Sequence, residues 1–168
     1  GKPTGVHEHV TVEANWLIEE FMLLANRTVA EWVATGGKMN GSALKNAKTF
    51  VYRVHDEPNM IKLEGLRDFA KTFGYKLGEL DNGKKIARSL NELLSSAKAK
   101  PEYEALQMVA LRSMAKAVYT TENIGHYGLA FPFYTHFTSP IRRYPDLMVH
   151  RLLARYLAGG DSADNMYY

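Results

Sequence analysis

The chain has 168 residues, 46% of them hydrophobic and 23% charged, with a formal net charge of +3 and no cysteine. That is enough chain for one domain with a real core, too little for two comfortable ones, and too apolar for a disordered segment. No apolar run approaches the ~18 residues of a membrane span, no basic-then-apolar start reads as a secretory signal, and the lack of thiols excludes disulfides and Cys chemistry, all of which suits a cytoplasmic protein.

Lys2-Pro3-Thr4-Gly5 has turn chemistry, and the alternation Val6-His7-Glu8-His9-Val10-Thr11-Val12 is strand-like. A hairpin turn calls for an incoming strand, so the chain is expected to be the later part of something longer. His7 and His9 are read as surface strand residues rather than metal ligands. A long helix is predicted from about Glu13 to Thr35, stopped by Gly36-Gly37. Its apolar residues cover two adjoining stripes, led by Leu17, Phe21, Leu24 and by Ile18, Met22, Ala25. An arc that wide marks a helix packed on more than one side.

A polar connector, Gly37–Lys48, leads to a short strand at Phe50–Val54. Asp56-Glu57-Pro58-Asn59 opens a second helix that Gly74 stops, and a third spans Lys84–Ala99. Between them, Gly78–Lys85 has the glycines and lysine of a phosphate-binding P-loop. Lys85 stands where the Mg²⁺-binding hydroxyl belongs, so the segment is read as a surface turn. A fourth helix follows Pro101, carried by Leu106, Val109, Ala110 and Ala117. Thr120–Thr138 is aromatic and aperiodic, and a last helix is predicted from Ser139-Pro140 to about Ala158. The class is α+β, mainly helical, with two or three short strands.

The chemistry concentrates at that last helix start. Ser139 is placed as N-cap and Pro140 at N1, which puts Arg142 and Arg143 in the first turn. Cations there oppose the helix dipole, yet a helix N-terminus with two arginines and the hydroxyls of Thr138 and Ser139 makes an anion site suited to a phosphodiester. Pro145 is expected to bend the helix, and Asp146, four residues after Arg142, to brace its guanidinium. Taken alone, such an Arg/Asp pair is an ordinary surface ion pair worth little. Tyr127 and Tyr144 either stack on unpaired bases or fill the core; Phe131, Phe133 and Phe137 are read as core. Glu19 lies near one line with Asn15 and Asn26. It is either part of a solvated strip or an acceptor for a ribose 2′-hydroxyl. No carboxylate cluster able to hold Mg²⁺ is visible in the sequence.

Three strings resemble the C-terminal signature of the RNB-domain exoribonuclease family, of the ribonuclease II and ribonuclease R type. They are His126-Tyr-Gly-Leu-Ala130, Tyr134-Thr-His-Phe-Thr-Ser-Pro-Ile-Arg-Arg-Tyr-Pro-Asp-Leu147 and His150-Arg-Leu-Leu153. Leu17-Ile-Glu-Glu-Phe-Met-Leu-Leu-Ala-Asn26 resembles a helix of the same domain, and Tyr52-Arg-Val-His-Asp-Glu-Pro58 a strand and turn of the bacterial ribonuclease R branch. The resemblance implies that residues 1–168 are the C-terminal portion of an RNB catalytic domain. The aspartate cluster and cold-shock domains would lie upstream, and the S1 domain downstream. It implies a processive 3′→5′ exoribonuclease acting on a single-stranded RNA 3′ end and releasing nucleoside 5′-monophosphates. Mg²⁺ would be required by the parent enzyme and not held by this fragment. Arg142 would be the catalytic arginine at the scissile phosphate. Glu19, Tyr127, Ser139 and Arg143 would contact RNA. The fragment alone is expected to be inactive, and to expose apolar surface through which it can self-associate. The competing readings are a stand-alone helical RNA- or phosphate-binding module and a helical protein-interaction domain.

Overall fold

The structure, a computed structural model, describes residues 2, 4–5, 11–37 and 48–163. Most of the strand-like start (6–10, with His7 and His9) and of the connector (38–47) lies outside the described residues. The described residues form helices α1 (Glu13–Ala34), α2 (Met60–Thr72), α3 (Gly83–Ala97), α4 (Tyr103–Ser113) and α5 (Tyr144–Leu157). Two short strands, β1 (Tyr52–Val54) and β2 (Val118–Thr120), pair in one sheet, and Tyr127–Leu129 forms a 3₁₀ turn. The mainly helical α+β expectation is met. The chain divides into two compact units, Gly1–Tyr52 with Phe133–Tyr168, and Arg53–Pro132.

The first unit is built on α1 and α5. The Asn15 side-chain oxygen accepts the Val12 N–H at 3.0 Å, satisfying one of the donors that a helix start leaves unpaired. At the other end Gly36 and Gly37 take positive φ. Their N–H groups reach back to Val33 O and Trp32 O, as in a Schellman stop. Only the second half of α1 is buried, through Asn26, Ala30, Val33 and Ala34 at helical spacing. Trp16, Leu17, Ile18, Phe21, Met22 and Leu24 are exposed, so the apolar surface expected from sequence is present on the first half of this helix. On α5 the buried stripe is Asp146, Val149, Leu152 and Tyr156. The Tyr156 hydroxyl donates to Thr49 O, and Thr135 Oγ1 donates to Val51 O at 2.6 Å.

The second unit packs α2, α3 and α4 around Leu63, Leu66, Ala70, Ile86, Leu90, Leu93, Ala97, Leu106 and Ala110. Leu77 and Leu80 of the α2–α3 connection close the cluster. Asn59 and Asn82 cap α2 and α3, each accepting the N–H three residues on, at 3.1 and 3.0 Å. The P-loop-like stretch is therefore a capped helix entry, and Lys85 is tied to Glu79 and Asp81 rather than left for a phosphate. Helix α4 stops at Ser113, four residues short of the predicted Ala117. The Ser113 carbonyl accepts the Asn59 N–H at 3.0 Å, and the chain then runs into β2.

Candidate nucleic-acid interface

The last helix begins later than its strongest local signal suggests. Ser-Pro at 139–140 and Tyr-Pro at 144–145 both offer a proline near a helix start. The fold uses the second: Arg143 is the N-cap, Tyr144 is N1 and Pro145 is N2. Pro145 therefore bends nothing, because the N–H it lacks would have had no helical partner. Ser139 is not a cap. Its carbonyl accepts the N–H groups of Arg142 (3.3 Å) and Arg143 (3.1 Å), closing a tight turn through Pro140, Ile141 and Arg142.

Asp146 decides between the two starts. At N3 its carboxylate sits at the positive end of the helix dipole and is completely buried. One oxygen, Oδ2, accepts the Ser139 N–H at 2.8 Å and the Arg143 Nη2 at 2.9 Å. The expected brace between Asp146 and Arg142 is thus corrected. At i, i+3 across the helix start, Asp146 holds Arg143, whose side chain is only 22% exposed. The same carboxylate places the protein's own negative charge in the first turn of the helix, beside the predicted anion site.

The Arg142 side chain is left exposed at the tip of the turn, with no hydrogen bond or ion pair among the described residues. Ile141 and Tyr144 beside it are exposed as well. A second anchor stands just upstream. Asn26 Oδ1 accepts the N–H groups of Phe137 (2.9 Å) and Thr138 (3.3 Å), while its amide donates to Tyr134 Oη at 3.2 Å. His150 stacks on Phe137 with ring centroids 4.2 Å apart, and its Nε2 meets Phe137 O at 2.8 Å. The stretch entering the turn is pinned from two helices at once. Glu19 lies on α1 seven residues before Asn26, so on nearly the same face roughly 10 Å along the axis, and it is exposed.

Glu19, Ser139, Arg142 and Arg143 all belong to the first unit; Tyr127 belongs to the second. There its hydroxyl donates to Gly83 O at 2.9 Å, and partial burial, then Glu57, push its phenol upward. A Cβ at Gly83 would fall 3.0 Å from the Tyr127 ring and closer still to the Glu57 carboxylate, so these side chains approach the helix start closely. Beside Tyr127, His55 and His126 stack at 5.1 Å, and each Nδ1 accepts a backbone N–H, from Gly128 and Leu129 respectively. Desolvation first, and the His55 charge second, hold His126 down at about 4. The sequence reading missed this pair and the role of Asn26. An amide four residues before Ala30 on an apolar helix face was the available signal for the latter.

Among the described residues no group of three or more His, Asp or Glu could hold a metal ion, so they do not fit a Mg²⁺ site. Nor is any described helix long and apolar enough to cross a membrane.

Comparison with known proteins gives one answer. The RNB domain profile matches residues 1–159. Ribonuclease R of Aquifex aeolicus is 36% identical over 159 residues, covering 95% of this chain and 21% of the relative. Mycoplasma genitalium RNase R, solved in complex with ribose methylated single-stranded RNA, superposes with a TM-score of 0.73 at 36% identity, over 89% of this chain and 22% of that one. Yeast Ssd1, described as a pseudonuclease, superposes with a TM-score of 0.69 at 25% identity, over 91% and 18%. The chain spans about a fifth of the length of the curated relatives it matches.

Proposed function

This chain belongs to the RNB domain family, and from that premise we propose that it is the C-terminal portion of the catalytic domain of a processive 3′→5′ exoribonuclease that hydrolyses RNA to nucleoside 5′-monophosphates in the cytoplasm. The observation that carries the reading is the exposed Arg142 at the tip of a turn whose flanks are fixed by Asp146 and Asn26. A guanidinium that spends nothing on its own protein is available to a phosphate, where a charge-assisted pair of N–H donors recognises two oxygens together. In hydrolysis the same group would stabilise charge developing on the phosphoryl oxygens of the scissile bond. Glu19 would accept from ribose hydroxyls at the 3′ end. Ser139 and the exposed part of Arg143 would line the phosphate path, and the Tyr127 ring would offer a base a stacking face.

Mg²⁺ chemistry belongs to the parent enzyme, because the described residues do not fit the ion. The isolated chain is accordingly inactive. The assay is release of nucleoside 5′-monophosphates from labelled single-stranded RNA by the purified chain with Mg²⁺. No release is expected, and hydrolysis that survives rigorous purification would refute the assignment of roles. A non-catalytic RNA-binding module is the second reading, favoured by the likeness to a pseudonuclease, since fold alone does not carry chemistry. An upstream aspartate cluster in the gene that encodes the chain decides against it.

A further inference from the structure

We propose that Asp146 is a positioning residue for Arg142. Its buried carboxylate staples the two ends of the Ser139–Arg143 turn and so fixes the guanidinium that meets the RNA phosphate. This rests on the phosphate-binding reading of Arg142 and adds to it a group that never touches the ligand.

The geometry is specific. A single oxygen, Asp146 Oδ2, holds the backbone N–H of residue 139 and the side chain of residue 143, the two residues that bracket Pro140, Ile141 and Arg142. Ser139 O closes the same turn from inside by accepting from Arg142 N and Arg143 N. The turn cannot open without breaking one of these bonds, so the Cα of Arg142 is held while its side chain stays in solvent.

As a stability device the arrangement is poor. Asp146 is completely buried, and both its Oδ1 and the Arg143 Nε are buried without a hydrogen bond among the described residues. Buried ion pairs with unsatisfied atoms are commonly no better for stability than an apolar packing of the same volume. What the pair supplies is one geometry. Fixing a recognition group before binding removes the ordering entropy that a free loop would lose on contact. Asp146→Asn is the informative change: it keeps size and an acceptor but removes the charge that holds Arg143.

The test is a double-mutant cycle on the 168-residue chain, reading fluorescence anisotropy of a short 5′-labelled oligo(A). Arg142→Ala is expected to weaken binding about tenfold or more, consistent with loss of a charged hydrogen bond. Asp146→Asn should weaken it several-fold, and the double variant should lose clearly less than the two single losses added together, because Asp146 acts chiefly by holding the turn that carries Arg142. A structural defect would instead add to the Arg142 loss. Additive losses, or an Asp146→Asn protein that binds like the wild type while Arg142→Ala does not, overturn the positioning role and leave the phosphate reading intact. A silent Arg142→Ala overturns both. Hydrogen exchange reads the staple without RNA: the Ser139 amide should be protected in the wild type and lose that protection in Asp146→Asn. Unchanged protection overturns the proposal even where no RNA binding is measurable.

Discussion

Asn26→Ala tests the anchor on which the candidate site depends. The side chain is almost fully buried, and its Oδ1 is the hydrogen-bond acceptor for the N–H groups of both Phe137 and Thr138. Truncation leaves two backbone donors stranded in a part-buried segment. At about 1–3 kcal/mol for each buried group left unsatisfied, and less for the longer of the two bonds, the expected loss is about 2–4 kcal/mol. With an m-value of about 2 kcal/mol/M, the urea midpoint falls by about 1–2 M. Asn15→Ala is the control: its oxygen accepts one N–H at an exposed helix start, and about 1 kcal/mol or less should be lost. Urea denaturation of the three proteins, followed by circular dichroism, gives both numbers. An Asn26→Ala protein no less stable than Asn15→Ala would refute the claim that the amide pins the approach to the Arg142 turn.

Three further outcomes follow from the second unit. His126 is held down at about 4, below the ordinary value of 6.5 it has in the unfolded chain. Its neutral form is favoured by folding, so this contribution is fully present above about pH 6.5 and is lost as pH falls towards 4. NMR titration should find the His126 ring titrating near 4, well below the ordinary histidine value, and His126→Gln should flatten acid destabilisation across that window. Tyr127→Phe removes the bond to Gly83 O and should cost about 0.5–1.5 kcal/mol in thermal or urea unfolding. Leu66→Ala, at a position with no exposed surface in the helical core, should cost about 2–5 kcal/mol in the same assay.

Helix content was readable because its signals are local. The Gly36-Gly37 and Gly74 stops, the Asp56–Asn59 helix opening and the periodic apolar residues of α2 and α3 each act within a turn or two of chain. The start of α5 was not, because two X-Pro pairs five residues apart carry nearly the same local signal. The choice between them is made by burial of Asp146, a tertiary event. That burial also separates the arginines: Arg143 is tied to Asp146 and only partly exposed, and Arg142 is left outside the helix on a turn. The end of α4 escaped for a similar reason, since the Asn59–Ser113 bond that fixes it joins residues far apart in sequence. The wide apolar arc of α1 called for more than one packing face. Among the described residues only its second half has one.

The most direct measurement is the affinity of the chain and of Arg142→Ala for a short fluorescent oligo(A), taken across a salt series. The account predicts salt-sensitive binding by the wild type, a sharp loss in the variant, and a log–log salt slope shallower by about 0.7, the release expected from one phosphate contact on a single strand. Equal affinity and equal slope in the two proteins would contradict it, because the exposed arginine would then be holding no phosphate.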